Sequence, residues 1–265
     1  MTKLEEIVAQ KRKEVNEKSI LFPTQLLEQS IYFDSPLVSM KKYLTRKDKS
    51  GIIGEFKRKS PSKGMLNKYA SVEKTSIGYM QAGCSALSVL TDEHFFGGSN
   101  KDLTQARQFN FCPILRKDFI IDEYQIVEAR SIGADTILLI AAILDKAHTK
   151  RLATFAKSMG LEIIFEVHEA DELDNLVDEI DIVGVNNRNL KTFNTDINTS
   201  FELLPLIPEQ YLKISESGIH SPEVAMTLKN AGFNGLLIGE QFMKSSDPAQ
   251  NCAKFIQQLN HLYAG

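Results

Sequence analysis

Glu55, Lys57, Lys117, Glu166 and Asn186 each stand at or just past the end of an apolar run in this 265-residue chain. In the stretch GEFKRKSPSKG, Glu55 and Lys57 are two positions apart, so an extended backbone puts both on one face. If that face is an interior, two opposite charges have been carried inside. Two lysines and two glutamates in one partly desolvated pocket hold pKa values far from those in water, because burial favours neutral forms and opposite neighbours favour charged ones. Such a set can serve as general acids and bases. A lysine there could equally form a Schiff base with a carbonyl, and the residues alone leave both uses open.

Something must bring these side chains together. The chain repeats a unit of helix-like segment, glycine and apolar strand: QAGCSALSVL (81–90), SIGADTILLI (131–140), SMGLEIIFEV (158–167) and NAGFNGLLIG (230–239). Gly83, Gly133, Gly160 and Gly232 sit where a helix C-terminus needs positive φ. Runs apolar throughout fit strands covered on both faces, hence parallel strands separated by helices. The full series predicts strands near 51–57, 85–90, 112–117, 135–140, 161–167, 181–186, 211–215 and 235–239. Asp122, Ser221-Pro222 and Asp247-Pro248 supply helix starts. Eight βα units point to a (β/α)8 TIM barrel over 49–265. A doubly wound sheet is the competitor, but no GxGxxG follows the first strand. Residues 1–48, with Leu4, Ile7, Val8 and Val15 at helical spacing, read as an N-terminal helical extension packed on the barrel.

In such barrels the active site lies at the C-terminal strand ends, and polar residues collect there. An isolated charge at a strand end is more often a solvated loop residue or half of a structural ion pair, the class to which Arg58, Lys59, Lys63 and Arg116 are assigned. Glu55, Lys57, Lys117, Glu166 and Asn186 differ because alternation aims all five at one level of one cavity. SESGIH (215–220) and LLIGEQF (236–242) end the last two strands in glycine, a pattern suited to holding a phosphate on backbone amides. Phe95, Phe96 and Phe119 are core packing by default, but a place at the rim would suit an aromatic ring. The five histidines lack metal spacing, and no metal is expected.

Composition narrows the field further. A net charge of −3 without a basic tract argues against a nucleic-acid partner. Three scattered cysteines fit neither a disulfide framework nor zinc and favour a reducing cytoplasm. The N-terminus lacks the apolar core of a signal peptide, and the longest apolar run, 137–144, is too short to span a bilayer, so no membrane role is expected.

Taken together, GEFKRKSPSKG, SVLTDEHFFGGS (88–99), PILRKDFIIDEYQI (113–126), FEVH (165–168), GVNNRNLKTF (184–193), SESGI (215–219) and LIGE (237–240) closely resemble the indole-3-glycerol-phosphate synthase family of tryptophan biosynthesis. The resemblance implies that 1-(2-carboxyphenylamino)-1-deoxyribulose 5-phosphate closes to indole-3-glycerol phosphate with loss of carbon dioxide and water, without metal or organic cofactor. Carried over, Lys117 is the general acid of ring closure, and Lys57 contacts the substrate carboxylate and serves the later dehydration. Glu55 and Glu166 are the carboxylates of that step, with Asn186 and Ser217 as polar supports. Ser60, Phe96, Phe119, Arg188 and Leu190 match substrate contacts; Ser217, Gly218, Ile238, Gly239 and Glu240 match the phosphate cradle. Glu240 stands where some relatives carry a small residue. With one helix after the eighth strand, a single-activity protein is expected, and a monomer is expected. The rivals of the synthase reading are a sibling phosphate-binding isomerase, a Schiff-base aldolase, and a non-catalytic barrel that binds a phosphorylated ligand.

Overall fold

Eight parallel strands close on themselves: β1 (Ile52–Phe56), β2 (Ala86–Leu90), β3 (Ile114–Lys117), β4 (Thr136–Ile140), β5 (Glu162–Val167), β6 (Ile182–Asn186), β7 (Leu212–Glu216) and β8 (Gly235–Ile238). Each pairs with the next, and β8 returns to β1 through Ile52–Leu236 and Ile53–Leu237. The computed structural model describes residues 2–189 and 194–264, so the expected contact at Leu190 lies outside the described residues. Closure excludes the doubly wound sheet, and helices alternate with the strands as in a TIM barrel.

The expected helix signals operate. Gly83, Gly133, Gly160 and Gly232 all have positive φ. Asp122 and Ser221 cap their helices, and the Asp247 carboxylate accepts from the amide of Gln250. Between the sheet and the helices lies one continuous apolar cluster, which includes Ile52, Leu87, Ile137, Ile163 and Val183. These residues explain why the strands read as apolar throughout: one face meets the helices and the other fills the barrel.

Inside the barrel, side chains stack in layers drawn from alternate strands. Ile53, Leu115, Ile164 and Ile214 come from β1, β3, β5 and β7, and all four are fully buried. Two positions further along the same strands come Glu55, Lys117, Glu166 and Glu216. A layer from the even strands, Ser88, Leu138, Gly184 and Leu237, lies between them, as the register shows: Ser88 is level with both Glu55 and Leu115, and Gly184 with both Glu166 and Ile214. The step from hydrocarbon to charge is therefore two residues deep.

The helix Lys3–Leu21 begins with a capping box at Thr2 and Glu5 and buries Ile7 and Val15. Lys3, Leu4 and Ile7 reach the barrel mouth. The short helix Met40–Leu44 buries Met40 and Leu44 in the interior cluster that also contains Ile53 and Ile214.

Candidate active site

A cavity of about 330 Å³ opens at the C-terminal ends of the strands. Glu55, Lys57, Lys117, Glu166 and Asn186, singled out because alternation aims them inward, all line it. Lys57 Nζ donates to Glu55 Oε1 at 2.6 Å. Lys117 Nζ lies 2.7 Å from Glu166 Oε2 and 2.5 Å from Glu216 Oε2. One ammonium is thus shared by two carboxylates from two different strands.

Glu216 was not among the catalytic candidates. The sequence pattern ends the seventh strand near 215, but the ladder continues to Glu216 and aligns it with Asn186 and Leu237. Alternation from Leu212 and Ile214 then turns its carboxylate inward. Gly184 on β6 makes room for it: a Cβ there would stand 2.6 Å from Glu216 Oε1. That oxygen is buried and has no hydrogen-bond partner among the described residues. His168 was also missed, because histidines were judged only by metal spacing. Two residues beyond Glu166, it places Nε2 3.3 Å from Glu166 Oε1 and Nδ1 3.4 Å from Glu172 Oε2.

The electrostatics follow from this sharing. Burial pushes the Glu216 carboxyl up, Lys117 pulls it down and the Glu166 charge pushes it up again, leaving it near 7. Glu166 is equally buried, but Lys117 and His168 together overcome that cost and hold it well below the usual carboxylate range. With two cations beside Glu166 and one beside Glu216, the proton of the pair belongs to Glu216. For Lys117, burial opposes the charge, yet Glu166, Glu216 and Glu55 outweigh it and keep the ammonium protonated beyond its ordinary range. His168 is likewise raised, to about 9, by its two glutamates against the cost of burial.

Around this layer the other expected residues divide. Phe96 and Phe119 line the cavity with ring centroids 6.0 Å apart; Phe95 belongs with Phe119 to the interior cluster but does not line the cavity. Ser60 is buried and accepts from the amide of Lys63, and its neighbours Pro61, Ser62 and Lys63 line the cavity in its place. Arg188 also lines the cavity, and its guanidinium is engaged with Glu240 Oε2 at 3.0 Å and with Ser62 Oγ at 3.1 Å. Ser217, Gly218, Ile238, Gly239 and Glu240 converge on one side of the mouth. Ser217 has φ 66°, a left-handed conformation that a non-glycine residue adopts at some cost in strain. A Cβ on Gly239 would meet Glu55 Oε1 at 2.4 Å, so this glycine lets β8 approach the first carboxylate.

Arg58 and Arg116 are structural. Arg58 pairs with Asp102 at 2.7 Å, and Arg116, fully buried, binds Glu128, Asp118 and Thr91 below the rim. Among the described residues, no group of three His, Cys, Asp or Glu side chains could hold a metal ion, and no helix is long and apolar enough to cross a membrane.

The fold and the charged layer define a class: a TIM barrel whose mouth gathers paired lysines and glutamates beside two phenylalanines and a glycine-rich rim. The comparisons with known proteins identify the member. A family model described as indole-3-glycerol phosphate synthase matches residues 4–255. An indole-3-glycerol phosphate synthase of Bacteroides thetaiotaomicron is 47% identical over 256 residues, covering 97% of this chain and 98% of that protein. One from Caldanaerobacter subterraneus is 42% identical over 246 residues, covering 92% and 94%. The chain belongs to the indole-3-glycerol phosphate synthase family. Among solved structures, 3-hexulose-6-phosphate synthase from Salmonella typhimurium has the same fold, with TM-score 0.64 over 80% of this chain and 99% of that one, at 12% identity.

Proposed function

We infer that this chain is a carboxy-lyase that closes the indole ring of 1-(2-carboxyphenylamino)-1-deoxyribulose 5-phosphate, releasing carbon dioxide and water and leaving indole-3-glycerol phosphate. The observation that carries the chemical reading is Lys117, an ammonium held at the barrel mouth by Glu166 and Glu216. A lysine used as an imine-forming nucleophile must lose its proton, and this one is surrounded by groups that keep it on. The site therefore favours acid catalysis over Schiff-base chemistry.

Lys117 is assigned the first proton transfer. As the ring carbon that bears the carboxylate attacks the ketone carbon, negative charge develops on the ketone oxygen, and the Lys117 ammonium delivers a proton there. Loss of carbon dioxide leaves its bonding pair in the ring system. Expulsion of the resulting hydroxyl then needs an acid, and restoration of aromaticity needs a base. Lys57, just past the end of β1 and hydrogen-bonded to Glu55 on the same face, is assigned the substrate carboxylate and the departing hydroxyl. Glu55 and Glu166 are the candidate bases of the last step.

The same reading places the aromatic ring against Phe96 and Phe119 and the phosphate against the backbone of Ser217, Gly218, Ile238, Gly239 and Glu240, supported by their convergence at the mouth. Asn186 fixes the turn after β6 through Oδ1, which accepts from the amide of Arg188 at 3.0 Å. We assign catalysis to residues 49–265 and treat 1–48 as an extension whose first helix contributes to the rim. Buried free thiols at Cys84, Cys112 and Cys252 fit work in the reducing cytoplasm.

The test is direct. The chain contains no Trp, so adding the carboxyphenylamino substrate to purified protein should produce indole emission over little background. No emission from folded protein at substrate saturation would refute the reading.

A further inference from the structure

The N-terminal helix is mostly solvated, with Arg12 and Lys13 exposed, yet its Lys11 is buried to 3% exposure. Its Nζ stands 2.8 Å from Asp92 Oδ2, 3.0 Å from Asp118 Oδ1 and 2.8 Å from Glu14 Oε2. Asp92 follows β2 and Asp118 follows β3, so one ammonium from outside the barrel ties two neighbouring strand-end loops together.

What those two aspartates do gives the contact its meaning. Asp92 Oδ1 accepts from the amides of Phe95 at 2.8 Å and Phe96 at 3.2 Å. Asp118 Oδ1 accepts from the amide of Phe119 at 2.8 Å, while its Oδ2 takes the Thr91 hydroxyl at 2.6 Å and Arg116 at 3.3 Å. The backbones that carry both cavity-lining phenylalanines are thus set by two buried carboxylates. Like charges this close and this dry repel unless a cation lies between them. Of the two aspartates Arg116 reaches Asp118 alone and shares itself with Glu128, whereas Lys11 reaches both.

We propose that Lys11 is a positioning residue that builds the aromatic wall of the site: by neutralising Asp92 and Asp118 together, it holds the loops that place Phe96 and Phe119 against the substrate ring. Lys11 itself does not line the cavity, although Lys3, Leu4 and Ile7 of the same helix do. The inference rests on the proposed reaction, because only that reading puts an aromatic ring between the two phenylalanines.

A purely structural cation would matter to stability alone; a positioning one must separate the two ends of the ligand. The test compares the full chain with Lys11→Met by calorimetric titration with two probes. The first is inorganic phosphate. The second is the substrate analogue whose ketone is reduced to an alcohol, which carries the ring but cannot close. We expect the analogue to bind roughly tenfold more weakly to Lys11→Met, as for a lost aromatic contact, with phosphate affinity unchanged. Lys11→Arg, which keeps the charge, should restore most of the analogue's affinity. Unchanged analogue affinity in folded Lys11→Met overturns the proposal, as does an equal loss for both probes. If Lys11→Met does not fold, Lys11→Gln, which keeps a donor without the charge, is read in the same way. Failure of the unaltered chain to bind the analogue would instead overturn the reaction on which the proposal rests.

Discussion

Glu216 and Lys117 meet across the barrel mouth, with Oε2 and Nζ 2.5 Å apart, although β7 and β3 stand on opposite sides of the eight-stranded ring. A single cation there compensates one carboxylate fully and a second only in part. Glu166 takes the larger share because His168 assists it; Glu216, with one oxygen unpartnered over an apolar layer, keeps its proton to near neutrality. Ionisation of Glu216 adds a second full negative charge beside Lys117 and tightens the hold on the proton that ring closure requires. The specificity constant kcat/KM, which reports the free enzyme, should therefore fall as pH rises through about 7. Glu216→Gln, neutral throughout, should remove this inflection and keep the low-pH rate. A pH profile unchanged in the variant would rule out Glu216 as its source.

Replacing Lys117 with Ala removes the acid and leaves Glu166 and Glu216 facing each other in a dry layer without their shared cation. Turnover should fall by roughly 10²-fold or more, the usual worth of a positioned general acid. A steady-state assay of indole emission checks this, and unimpaired turnover would remove Lys117 from the mechanism. Incubation with substrate and borohydride should leave no adduct on either lysine, since an imine at Lys57 or Lys117 is not part of the reaction.

Much of this arrangement was legible in the sequence, for identifiable reasons. Strands buried on both faces announce themselves as apolar runs, and Gly83, Gly133, Gly160 and Gly232 mark the helix ends before them. Once eight strands are in register, the period of two carries Ile53 to Glu55, Leu115 to Lys117 and Ile164 to Glu166 without further information. Glu216 escaped because its direction depends on one residue of strand length, and strand ends are set by ladder pairing that local composition does not encode. His168 escaped because its partner in the site is a carboxylate and not a metal. The engagement of Arg188 by Glu240, and of Asp92 and Asp118 by Lys11, joins segments far apart in the chain, so no local pattern could announce either.

Gly239 tests how tightly the first carboxylate is held. Its φ of −125° and ψ of −63° do not require glycine for positive φ, but an added Cβ would come within 2.4 Å of Glu55 Oε1 and 2.9 Å of Glu55 Cβ. Turning the Glu55 side chain away relieves the contact with Oε1 and releases Lys57, while the contact with the Glu55 Cβ can be relieved only by a shift of the β1–β8 backbones. Overpacking of this kind costs about 1–3 kcal/mol. Gly239→Ala should lower both the thermal midpoint and the turnover number, the latter by roughly tenfold. Retention of full turnover would show that the Glu55–Lys57 contact is dispensable.

His168 links the site to the stability of the fold through pH. Its glutamate partners raise it from 6.5 to about 9, so the folded chain binds a proton that the unfolded chain has released throughout that interval. The sign follows: the stabilisation is complete below about pH 6.5, declines as pH rises, and is gone above about pH 9. Denaturant midpoints measured from pH 6 to 9.5 should accordingly decline more steeply for the unaltered chain than for His168→Asn, which lacks the titrating group. Parallel curves would mean that His168 stays neutral beside Glu166, and that Lys117 alone holds that carboxylate charged.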